Sequence, residues 1–167
     1  NRFYRSEQSE EHPEQIFGTQ QIDRMIDLLK QSHAPFKFVL TGGQFLNSAQ
    51  VFENHSNYEE ERDYILKRLN DEDIKNVIFI SGDRHHSEVD KLQLPNGNWV
   101  YEFTVSPLTS GAAHQVNEEN DYRVEGSLIQ ERNFAVMNIS GKRKSRKLVL
   151  IYYNSEGEQI YSWSLSE

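Results

Sequence analysis

An α/β fold is expected for the first half of this chain and an antiparallel β region for the second, on three features of its hydrophobic pattern. Apolar residues recur at helical spacing over residues 19–32 and again over 58–69. Each of these stretches is followed by a short, nearly unbroken apolar run, at 36–41 and 76–80. Beyond residue 88 the period drops to two. Helix, strand, helix, strand implies a parallel pair, because the return between parallel strands needs a crossover long enough to hold a helix. At 167 residues the chain is one domain's worth and can bury a core.

Taken in order, residues 1–15 are polar and are expected to have little order of their own. Thr19 can cap a helix whose stripe is Ile22, Met25, Ile26 and Leu29. Pro35 ends it, and FKFVLT at 36–41 reads as a strand. After a loop over 42–57, Tyr58, Ile65, Leu66 and Leu69 share one face of a second helix. NVIFI at 76–80 has the continuous apolar character of a strand buried on both faces. Residues 89–94 and 99–106 flank Pro95-Asn96-Gly97-Asn98, with Asn-Gly at the centre of a hairpin turn. Three more strands, 134–139, 148–153 and 159–165, make the tail a β-meander in which Trp99 and Trp163 take core-facing positions. Residues 107–130 are long, polar and aperiodic, as in a surface loop near a functional face. The expected division is a polar lead (1–15), an α/β part (16–88) and a β-rich part (89–167) of one domain.

Composition excludes several classes of function. With 18 Lys and Arg against 26 Asp and Glu, the net charge of −8 argues against a surface for nucleic-acid duplexes. The basic run at 142–147 reads as a solvated hairpin turn. Without cysteine, neither a disulfide nor a thiolate metal site can form within the chain. No stretch approaches the roughly 18 apolar residues of a membrane span. The chain opens at Asn1 in a polar stretch with no charged-then-apolar leader, as expected of one cut or processed from a longer protein.

The chemistry is concentrated in GDRHHSE at 82–88, directly after the buried run NVIFI. In open α/β sheets, ligands bind at the carboxyl ends of the strands. Gly82 lets the backbone turn, so that Asp83 and His85 can share one side of an extended turn, with His86 on the other. A carboxylate beside an imidazole suits iron, zinc or manganese, and a carboxylate also suits calcium or magnesium. The plain alternative is an ordinary strand-end turn with solvated histidines. His55 and His114 stand in polar stretches and read as solvated, with a place at the mouth of a site as the alternative.

Five segments, in order, resemble the PhoD-like (alkaline phosphatase D type) metallophosphoesterases. FGTQQ at 17–21 is similar to the family's FGxxQ helix opening, and FKFVLTGGQF at 36–45 to its strand and loop ending in Gln. Tyr58 with Glu61-Arg62 resembles its Y-x-x-E-R helix, GDRHHSE its GDxHxx motif, and YEFTVSPL at 101–108 its YEFTSSPL strand. The resemblance implies the C-terminal half of a calcineurin-like αββα sandwich, with a dinuclear metal site at the strand ends. It makes Asp83 and His85 metal ligands, and Gln44 either an amide-oxygen ligand or an ordinary loop residue. Arg84 and His86 would neutralise phosphate charge or protonate the leaving group, with a salt-bridged structural role as the alternative for Arg84.

Two metal ions are implied, iron with calcium by the family pattern, zinc or manganese also suiting the residues. The implied reaction is hydrolysis of phosphate mono- or diesters, and export is common in the family. Two metals need roughly seven or eight donors, waters included. The rest would come from a missing N-terminal half of the same protein, leaving this chain inactive alone. The rival expectation is a non-enzymatic interaction module whose GDRHHSE turn binds no metal.

Overall fold

Both helix–strand units form where the pattern places them, within a residue or two. The computed structural model describes Arg5 and residues 14–167, so the expectation for 1–15 falls mostly outside the described residues. Helix α1 (Thr19–Gln31) buries Ile22, Ile26 and Leu29, and leads to β1 (Lys37–Leu40). Helix α2 (Glu59–Asp71) buries Ile65 and Leu69, and leads to β2 (Val77–Ser81). Thr19 is not the cap of α1. That place belongs to Gly18, whose carbonyl accepts from Gln21 N and Ile22 N at 3.1 Å. The chain enters the helix there at φ 76°, which favours glycine over threonine.

The first sheet has the order β1-β2-β4-β3, with β3 at Glu88–Gln93 and β4 at Trp99–Thr104. Strand β1 runs parallel to β2, and so does β4, while β3 and β4 form the antiparallel hairpin. The uniform meander expected after residue 88 therefore divides. Only β5 (Asn133–Ser140), β6 (Lys147–Asn154) and β7 (Gln159–Ser166) form a separate antiparallel sheet, in the order β5-β6-β7. Apart from Trp99 at its start, strand β4 is buried along its whole length, which suits an interior position; β3 carries an exposed Lys91 and lies at the margin. Period-two patterning marks both strands but does not choose their neighbours.

Alternation along the first sheet builds two cores. Val77, Phe79 and Val100 face α1 and α2, together with Ile26, Phe45, Ile65 and Leu69. Ile78, Tyr101 and Phe103 face the second sheet, where Leu148, Leu150, Tyr152 and Trp163 meet them. Each fully buried side chain of this size contributes about 1.5–3 kcal/mol relative to exposure. The layers run helices, sheet, sheet. The second sheet leaves Phe134, Val136 and Ile139 exposed.

Residues 107–130 do more than loop. Ser87 bridges Ile129 and Asp90 bridges Arg123, both antiparallel, so the segment covers the outer edge of β3. These are isolated bridges without alternating burial, which is why no strand signal marks them.

Candidate metal-binding turn

The turn after β2 lies at the carboxyl end of that strand and closes with Arg84 N donating to Gly82 O at 2.9 Å. Asp83 stands at φ 69° and His85 at φ 58°, a conformation uncommon for residues other than glycine. Side-chain burial alternates through it: Asp83 and His85 are exposed, and His86 is buried. Neither the Asp83 carboxylate nor the His85 imidazole has a hydrogen-bond or ion-pair partner among the described residues. Backbone held in an unusual conformation, presenting two polar groups to solvent, is the kind of arrangement that clusters at functional sites.

Arg84 is committed inward. Its guanidinium, with a side chain 6% exposed, donates to Gln44 Oε1 at 2.6 Å, Asn54 Oδ1 at 2.7 Å and both Glu118 oxygens at 2.7 and 2.6 Å. The turn is gripped at His85 as well. Its backbone N donates to Ser106 Oγ at 3.1 Å, and its carbonyl accepts from Ala113 N at 2.7 Å.

Beneath the turn lies a buried polar network that sequence reasoning missed. Glu88, Asp90 and Glu102 are fully buried on adjacent strands, Asp90 and Glu102 being direct cross-strand partners. Glu88 accepts from Gln44 Nε2 at 2.6 Å, from Asn47 and Asn120 at 3.1 Å, and from Arg123 Nε; His86 Nε2 lies 3.6 Å away. Burial alone would raise the Glu88 carboxyl, but His86 and Arg123 outweigh it and hold the group down to about 2. Asp90 goes the other way. Burial, then the charges of Glu88 and Glu102, push it well above the usual carboxylate range. Glu102 is raised by burial although it accepts from the Phe45 and Leu46 backbone amides. An acid inside the apolar run WVYEFT was the available signal for this network.

Gln44 is buried in the same network, away from the exposed pair. Its amide oxygen accepts from Arg84 and from Asn47 Nδ2 at 2.9 Å, which takes both lone pairs, while its nitrogen reaches Glu88 and Thr104. His86 is 1% exposed, with Nδ1 3.1 Å from the Arg84 carbonyl.

His55 differs from its expected solvation. It is buried with Nε2 2.9 Å from Glu61 Oε1 and its ring against Phe17 and Phe45. Glu61 also accepts from the backbone amides of Ile16, Phe17 and Gly18, tying the lead-in of α1 to α2. Burial opposes ionisation of Glu61, but His55 and those amides prevail and lower its carboxyl. His114 is exposed, one residue beyond the Ala113 contact with His85. Among the described residues, no three His, Cys, Asp or Glu side chains are placed to hold a metal ion.

Comparison with known families finds the PhoD-like phosphatase family over residues 1–148. The chain belongs to that family. A solved structure, "Structure of PhoD", superposes on this PhoD-like chain with a TM-score of 0.67 at 15% identity, over 96% of this chain. At that identity the match shows a shared fold. The chain spans 40% of the length of that structure. A comparison with curated proteins finds no match. No helix among the described residues is long and apolar enough to cross a membrane.

Asp83 and His85 suit a metal chemically, as a hard oxygen and a borderline nitrogen, both exposed and without a partner among the described residues.

Proposed function

We propose that this PhoD-like chain contributes Asp83 and His85 to the metal centre of a phosphoesterase that hydrolyses phosphate mono- or diesters. The observation that carries this reading is a carboxylate and an imidazole without partners among the described residues, on a left-handed turn at the carboxyl end of β2, in a chain of this family. Further donors come from another part of a longer protein, and this chain alone is inactive. Iron with calcium is the metal pair the family suggests, with zinc or manganese compatible with the same side chains; export fits the family too.

Asp83 and His85 would hold part of a metal pair, which would supply Lewis-acid polarisation of the phosphoryl group and lower the pKa of a bound water. The chain's own residues position the donors. Arg84, with its Nη1 and Nη2 donors taken by Gln44, Asn54 and Glu118, anchors the turn from below, which favours a holding role over phosphate contact. His86 sits between the Arg84 carbonyl and Glu88, and Gln44 joins Arg84 to Glu88.

The test uses the full-length protein. Elemental analysis should find stoichiometric metal, and a chromogenic phosphate ester should be hydrolysed. Asp83→Asn and His85→Ala should each lower turnover by orders of magnitude while leaving the fold intact by circular dichroism, since both side chains are exposed and have no partner among the described residues. Unchanged turnover in both variants would remove the assignment, and a metal-free full-length protein would favour the interaction module.

A further inference from the structure

Phe52 is an aromatic residue held where folding gives it little return. Its side chain is 81% exposed, and its backbone stands at φ 52°, where a bulky residue is an outlier. The conformation is fixed: the Phe52 carbonyl accepts from Asn57 Nδ2 at 2.8 Å, and two residues on, Asn54 accepts from Arg84 at 2.7 Å. The ring lies over the Arg84 guanidinium, 4.9 Å from its centroid. Arg84 lies between Asp83 and His85 in the sequence, so the ring covers the guanidinium that anchors the turn carrying both candidate donors. At its level of exposure the ring's other face is open to solvent. Leu108 is 69% exposed, two residues past the Ser106 that holds the His85 amide.

We propose that Phe52 is a specificity residue of this site, its open face stacking on a flat aromatic group, an aryl ring or a nucleobase, in the alcohol part of the phosphoester. This rests on the phosphoesterase reading. Stacking one ring on another adds to the area it buries, and a guanidinium on the far face fixes the platform.

The experiment compares unmodified full-length protein, holding its metals, with Phe52→Ala and Phe52→Trp on 1-naphthyl phosphate, a nucleoside monophosphate and glycerol phosphate. Phe52→Ala should lower kcat/KM about tenfold on the aromatic esters, through KM, and leave glycerol phosphate within about twofold. Phe52→Trp should restore the loss, and the ester more strongly affected identifies aryl ring or nucleobase. Equal changes on all three esters, or none, overturn the proposal while leaving the phosphoesterase reading standing. Equal losses with a lower unfolding midpoint would instead assign the ring to packing against another part of the polypeptide, and also overturn it. If the unmodified protein hydrolyses neither these monoesters nor a chromogenic phosphodiester, both readings fall together.

Discussion

Replacing Arg84 by Met removes the anchor beneath the turn while keeping most of the side chain's volume. The guanidinium makes four contacts of 2.6–2.7 Å, and its ion-pair partner Glu118 has a side chain 11% exposed. Removing one member of a buried pair costs roughly 3–5 kcal/mol, because the other charge is stranded. Glu118 keeps a little water and the Asn47 amide at 3.1 Å, so the lower end, about 3 kcal/mol, is expected. With a urea dependence of about 2 kcal/mol per molar, the midpoint should fall by about 1.5 M. Arg84→Lys should recover less than half of that, since an ammonium cannot serve Glu118 in a bidentate fork and reach Gln44 and Asn54 as well. The double variant Arg84→Met, Glu118→Leu should be more stable than Arg84→Met alone, because no charge is left unpaired. Urea unfolding followed by circular dichroism decides it. A midpoint shift below about 0.5 M for Arg84→Met would refute the anchoring role.

Other expectations come from the network below the turn. Glu88 is held at about 2, below the 4.5 of an unperturbed glutamate, so its contribution to stability is full above about 4.5 and is lost as pH falls towards 2. Urea midpoints across that window should fall less steeply for Glu88→Gln; an unchanged slope would show that Glu88 is not what acid titrates. Tyr152, fully buried, donates its hydroxyl to Thr104 O at 3.1 Å and Glu88 O at 3.3 Å, tying the second sheet to the first. Tyr152→Phe keeps the ring and should cost about 1 kcal/mol by thermal unfolding, more if the two carbonyls are left dry; no loss would mean that the tie is not stabilising.

The elements and the turn were legible because their causes are local. The stripe Ile22, Met25, Ile26 and Leu29, the unbroken NVIFI and the Asn-Gly turn each carry a period or a turn preference within a dozen residues. His55 was misread because its neighbours in sequence are polar, whereas its partners are Glu61 in α2 and the rings of Phe17 and Phe45. The covering role of 107–130 was hidden for a similar reason: its contacts are a few isolated bridges to β3, with no repeat of their own.

Sequence alone determined the α/β order, the segments that place the chain in its family, and the position of Asp83 and His85 directly after a buried strand. Tertiary structure decided that β4 inserts beside β2, and that Gln44, Arg84, Glu118, Glu88 and Asp90 converge on one buried network. It also decided that Phe52 lies on Arg84. The physical reason is range: hydrophobic periodicity and turn geometry act between near neighbours, while the partners in the buried network lie 34 to 44 residues apart along the chain and meet only when the sheet closes.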